Sequence, residues 1–179
     1  ARRRFQEGFK AALGLEEFLH AVESAEDPRA RTSFRYTAAY VLALRADYDT
    51  ALKLARESKD EVDAFDLEFA QPLSNWNLGF INLGLRRFAA AERALQMVED
   101  GVDQRPLGIH VLNARILRMR LALATGETDR ALELAKTNNN DESAIPSIHA
   151  EHLATQGLCL AVADQRREAL VAAGAADTQ

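Results

Sequence analysis

Apolar and polar residues interleave along this chain with a helical period. Phe5, Phe9, Ala12, Leu13, Leu19 and Val22 recur at helical spacing and predict a first helix over about 5–22. Asp27 then sets a capping carboxylate before Pro28 in a first helical turn, so a second helix runs to about Arg45. Asp47 caps a third, through Glu57. Ser58-Lys59-Asp60-Glu61 has capping-box spacing ahead of Val62, Phe65 and Phe69, which predicts a fresh helix start there. Pro72 lacks an N–H and crowds the preceding turn, so it is expected to end whatever helix comes before it. Further helices are predicted over about 73–84, 87–99, 107–124, 127–137, 146–162 and 164–175. No alternating run is long enough to propose a strand.

The weave itself repeats. Ala51, Ala91, Ala131 and Ala169 are separated by 40, 40 and 38 residues, and each opens a similar segment: "DYDTALKLARES", "RRFAAAERALQMVE", "ETDRALELAKTN" and "QRREALVAAGAA". A fixed period in the range of about 20–50 residues with helical content points to stacked helix pairs, none able to bury its apolar face alone. Connections within a pair are two or three residues, which forces antiparallel neighbours. The turns between pairs, "EDGVDQRP" and "NNNDESAIP", carry the breakers. Twelve residues before each anchor alanine stand Ala39, Gly79, Met119 and Gly157. Three of these four are small, as required where two helix backbones approach closely.

At this point the chain resembles the tetratricopeptide-repeat (TPR) family. "WNLGFINLGLRRFAAAERAL" carries that family's Leu-Gly pair at Leu78-Gly79, its aromatic at Phe88 and its small residue at Ala91. "VLALRADYDTALKLA" repeats the second half with Tyr48 and Ala51. In "LALATGETDRALELA", Gly126 and Ala131 fit while Thr128 replaces the aromatic; in "LATQGLCLAVADQRREAL", Gly157 and Ala169 fit and Arg166 takes that slot. The period of 38–40 exceeds the usual repeat of about 34, and Asn75, one place before Trp76, fills the family's tryptophan slot. The resemblance implies an all-α fold. Antiparallel helix pairs would stack as a right-handed TPR-like solenoid, with four pairs and an N-terminal helix. It would form one domain over 1–179, with repeats at about 28–60, 61–101, 106–138 and 146–175.

A narrower likeness is to the helical-repeat sensor region of large LuxR-type, maltose-regulator-like bacterial activators. It rests on the longer period and on "ARILRMRLALATGETDRALELAKT" and "EHLATQGLCLAVADQRREALVAAGAAD". In that family an ATPase module precedes the repeats and a helix-turn-helix domain follows them. This chain has neither a G-x-x-x-x-G-K-[ST] loop nor a basic recognition helix after Ala175. The resemblance therefore implies an excised effector- or partner-sensing segment of a transcription regulator.

Composition narrows the classes further. A net charge of -5 offers no global positive field for phosphate backbones, so no direct nucleic-acid contact is expected from this segment. Arg2-Arg3-Arg4 reads as a solvated helix start or a truncation edge. The lone Cys159 cannot form an internal disulfide, which points to a reducing, cytoplasmic setting. Inside Leu158-Cys159-Leu160-Ala161-Val162 its thiol is expected to behave as a small hydrophobe. No uncharged apolar stretch of about 18 residues is present, so no membrane span is expected. The first residues show no signal-peptide layout and no initiator Met, which suggests a processed chain or a piece of a longer one. The closing "EALVAAGAADTQ" is weakly polar on every face, so further chain or a second copy is expected to cover it.

Fifteen and eleven residues before each anchor come Tyr36 and Tyr40, Trp76 and Phe80, Ile116 and Arg120, then Ala154 and Leu158. The i, i+4 spacing puts each pair on one helical face, and stacking would set successive pairs side by side. Tyr36, Tyr40, Trp76, Asn77, Phe80 and Arg120 are the expected binding residues for a protein or peptide partner or a small-molecule effector, with Thr37 beside them. Alternatively the rings fill space between helices. Arg115, Arg118 and Arg120 would suit a carboxylate or phosphate on a partner, or form a solvated face paired with Glu92 or Glu133.

His149 and His152, with Glu151 between them and Asp141 and Glu142 upstream, lack a third ligand on the same face, so no metal is expected. The acidic stretch Asp60, Glu61, Asp63, Asp66 and Glu68 lacks the glycine and spacing of a calcium loop and reads as a solvated helix start. G-x-S-x-G, H-E-x-x-H and a supported Cys-His pair are all missing from the sequence. The expectation is a non-enzymatic recognition domain without a cofactor. The competing expectation is a structural or dimerisation module, a homodimer with no ligand of its own.

Overall fold

One residue in the left-handed region of backbone space turns each helix pair. In the computed structural model, which describes residues 26–104, 108–137 and 146–178, these are Ala46 (φ 62°), Arg86 (φ 58°), Gly126 (φ 81°) and Asp164 (φ 58°). The amide of the following residue reaches back across the turn. Asp47 donates to the Leu42 carbonyl at 3.0 Å, and Arg87, Glu127 and Gln165 donate to those of Asn82, Ala122 and Leu160 at 2.8 Å each. This is the Schellman closure, which satisfies carbonyls that a helix end leaves open. The same four residues then accept, through their own carbonyls, the amides of Ala51, Ala91, Ala131 and Ala169 at 2.9–3.1 Å. The recurring alanine is thus the residue whose amide closes the first turn of each second helix. The first three anchors are fully buried and Ala169 is 9% exposed.

Among the described residues the chain is all-α. The helices are α1 Pro28–Leu44, α2 Tyr48–Ala64, α3 Gln71–Gly84, α4 Phe88–Gln104, α5 Gly108–Thr125, α6 Thr128–Lys136, α7 Pro146–Val162 and α8 Arg166–Asp177, with a 3-10 turn at Glu68–Ala70. They fall into two compact units, and the boundary lies at Gly101–Val102 in the last turn of α4.

In the first unit α1 and α2 pack antiparallel and α3 packs on both. Asp27 caps α1 through a 2.8 Å bond from the Arg29 amide, with Pro28 in the first turn. The core is built of small side chains (Ala38, Ala39, Ala43, Ala51 and Ala55) filled in by Leu42, Leu52, Leu54 and Ile81. Alanines let the helix axes approach, and the leucines close the remaining space. Tyr48 lies across the backbone of Gly84, where any Cβ would overlap its ring.

The second unit repeats the scheme with α5–α8. Met119, Ala122, Ala131, Ala135, Cys159, Leu160, Ala169 and Ala172 form its core. Gly157 sits where α7 crosses α8, and a Cβ there would lie 3.3 Å from the Ala169 carbonyl oxygen.

Several sequence expectations need correction. No helix starts at Ser58, because α2 runs unbroken through it to Ala64. The segment holds no Gly or Pro, and the Ser58 hydroxyl donates across the pair to the Thr32 carbonyl at 3.3 Å instead of capping its own chain. Pro72 does not end a helix; it occupies the first turn of α3, where its missing N–H costs nothing. The turn expected from residue 99 is helical to Gln104, and Gly101 in it packs toward the Pro72 ring. The helix expected over 5–22 and Arg2–Arg4 lie outside the described residues.

Candidate binding site

α1 and α3 bring together five of the six expected binding residues. Tyr36 and Tyr40 stand one turn apart on α1, as do Trp76 and Phe80 on α3. Three of the rings form a closed cluster. Tyr40 lies 5.4 Å from Trp76 and 5.6 Å from Phe80, both tilted, and Trp76 stacks on Phe80 at 5.4 Å and 16°. Such offset and tilted pairings suit the ring quadrupoles. Asn77 donates from Nδ2 to the Tyr36 carbonyl at 3.1 Å, which fixes α3 against α1.

Burial divides the set. Trp76 is 3% exposed and Asn77 1%, so both are walls. Tyr36, Tyr40 and Phe80 keep part of their surface open. Trp76 therefore fills space between the helices, and the accessible rings are Tyr40 and Phe80 of the cluster with Tyr36 one turn away on α1. The buried Asn77 Oδ1 has no hydrogen-bond partner.

Arg120, the sixth residue, belongs to the second unit. It spans α5 to α7 in a 3.0 Å ion pair with Glu151. Glu151 is a partner of Arg120 beyond the carboxylates, Glu92 and Glu133, expected opposite the arginines. Arg115 differs again: its Nη1 is buried and lacks a hydrogen-bond partner, and burial holds the guanidinium below its usual value. On α7 His152 is buried, and burial, with the charges of Arg115 and His149, pushes its imidazole down to about 4. Among the described residues no group of three or more metal-ligating side chains converges. Asp141 and Glu142 lie outside them.

The acidic stretch corrects a further expectation. Asp60, Asp63, Asp66 and Glu68 are exposed, but Glu61 is a buried carboxylate that ties α2 to α1. It accepts from Arg31 Nε at 2.7 Å, Arg35 Nη1 at 3.0 Å and the Thr32 hydroxyl at 3.3 Å. The signal was present in the sequence: Arg31, Thr32 and Arg35 share one face of α1, one turn apart. Cys159 is buried, which pushes its thiol up to about 11, as fits a core hydrophobe.

One further groove, of about 1040 Å³, lies in the second unit, with Lys136, Leu153, Gln156, Arg167 and Val171 among its walls. The last helix pair also leaves Leu158, Val162, Leu170 and Val171 exposed, of which Val171 lines the groove. No helix among the described residues is long and apolar enough to cross a membrane.

No family model matches the chain, and no curated protein does. Among solved structures the chain is similar in fold to the crystal structure of BtubC (BKLC) from P. vanneervenii. The TM-score is 0.65 at 17% identity, covering 99% of this chain and 74% of that one.

Proposed function

We propose that the chain is a non-enzymatic recognition domain. Its helix pairs would stack in TPR-like fashion, and it would bind a peptide segment or an amphipathic effector on the edge formed by Tyr36, Tyr40 and Phe80. The observation that carries this reading is the ring cluster: half-open Tyr40 and Phe80 packed on the buried Trp76, with Tyr36 one turn away on α1 and its carbonyl held by the buried Asn77. Rigid aromatic surface contributes contact area at little cost in conformational entropy, which is why such rings dominate recognition sites. The likeness to sensor regions of LuxR-type activators supports a cytoplasmic role as the effector- or partner-binding part of a bacterial transcription regulator.

The test is a peptide and metabolite screen read by Trp76 emission, since a ligand on Tyr40 and Phe80 touches the rings that pack Trp76. Hits should weaken at least tenfold in Tyr40→Ala and Phe80→Ala and persist in Arg120→Ala, a hot-spot loss of roughly 1.4 kcal/mol or more. Affinities unchanged by both aromatic substitutions would refute the site.

One observation favours a second reading, a structural or dimerisation module. Leu170 and Val171 are 74% and 69% exposed, and Leu158 and Val162 on the preceding helix are exposed as well. That reading predicts concentration-dependent assembly in light scattering and silence in the screen.

A further inference from the structure

In the third helix pair one arginine has a buried donor with no hydrogen-bond partner among the described residues. Residues 35, 75 and 115 stand in register, forty residues apart, on the first helix of successive pairs. In the first pair that position is Arg35, and the chain supplies Glu61 to meet it at 3.0 Å. In the third it is Arg115, whose buried Nη1 has no hydrogen-bond partner.

The group on α7 that feels the Arg115 charge is an imidazole. His152 and His149 act on this locus from α7. Glu151, the acid between them, turns to Arg120 at 3.0 Å and is engaged there. Among the described residues the side chains shown to act on this locus are a guanidinium and two imidazoles. A guanidinium presents donors in a fixed fork that matches a carboxylate or phosphate, and leaving one donor buried and unmet is costly. Arg115 as a whole is half-buried rather than sealed, so a small ligand group can approach the side chain, and meeting the covered Nη1 requires a local shift.

We propose that Arg115, with His152 beside it, binds an oxyanion: the carboxylate or phosphate group of a ligand or partner, filling the part that Glu61 plays for Arg35. The locus lies in the second unit and is independent of the aromatic edge. It selects on charge, whereas the rings select on apolar shape.

The test uses the full chain and two probes, sodium phosphate and sodium acetate, titrated against sodium chloride at constant ionic strength. Thermal melts and the histidine C2–H resonances are followed together. Saturable binding is expected with one or both oxyanions and not with chloride. A bound anion favours the imidazolium, so the apparent pKa of His152 should climb from about 4 by roughly one unit. Phosphate alone acting would point to a phosphorylated ligand, and acetate acting equally to a carboxylate.

Arg115→Met should abolish saturation, and Arg115→Lys, which keeps the charge, should retain a weakened response and so controls for folding. An unchanged response in Arg115→Met would overturn the proposal. So would a wild-type protein that never saturates, or binding that appears only in Asp141→Asn. The last result would mean that Asp141, forty residues after Gly101 and eighty after Glu61, is a built-in counter-ion.

Discussion

Removing the Glu61 carboxylate should cost far more than its sequence context implies. The side chain is 9% exposed and receives Arg31, Arg35 and Thr32 together. Truncating one member of a buried ionic group typically costs about 3–5 kcal/mol, because the remaining charge stays desolvated. Arg31 and Arg35 are 19% and 20% exposed, so water reaches part of each guanidinium when the acid is gone. That lowers the expectation for Glu61→Ala to about 2–4 kcal/mol. For a chain of this length the midpoint should fall by about 5–12 °C in a thermal melt followed by circular dichroism. Glu61→Gln keeps one acceptor oxygen and should lose roughly half as much. A double-mutant cycle with Arg35→Ala isolates the pair, with a coupling of about 1–2 kcal/mol expected. A Glu61→Ala protein within about 0.5 kcal/mol of wild type would place the acid at the surface and refute the buried reading.

Ala131→Leu adds three carbons to a fully buried position facing Met119 and Ala135 and should destabilise by about 1–3 kcal/mol; an unchanged melting temperature contradicts the packing. Cys159, with its thiol pushed up to about 11 by burial, should resist a thiol reagent at pH 8 until denaturant is added, so fast native labelling would be inconsistent with it. Because the folded imidazole of His152 sits near 4, below the ordinary 6.5, only the unfolded chain takes up its proton between those pH values. Stability should therefore fall as pH drops through that window, by up to about 3 kcal/mol, and His152→Gln should flatten the profile. Equal profiles for the two proteins would refute it.

Much of the fold was legible because alanine is informative where two helices touch. The anchors fell at the first buried turn of each second helix, and α7 matched its predicted span. What failed was punctuation. Ser58 and Glu61 form a capping-box pattern, yet both side chains found stronger partners on α1, and tertiary bonds overrode the local signal. The turns themselves were hidden: only Gly126 advertises the left-handed conformation, while Ala46, Arg86 and Asp164 adopt it under the pull of the backbone closure. Spacing brought Tyr36, Tyr40, Trp76, Asn77 and Phe80 to one locality, but their burial was not readable. A tryptophan at a groove position and one behind it have the same period. Glu151 was missed as a partner of Arg120 because an ion pair between helices leaves no local spacing to find.

The repeat rests on four turn amides, those of Asp47, Arg87, Glu127 and Gln165, each bonded back to the preceding helix. Native-state hydrogen exchange resolved by NMR measures them directly. All four should exchange as slowly as amides inside the helices they close, although each sits in a connection. Exchange at the rate of an open loop at these positions would contradict the paired-helix register on which the binding edge is built.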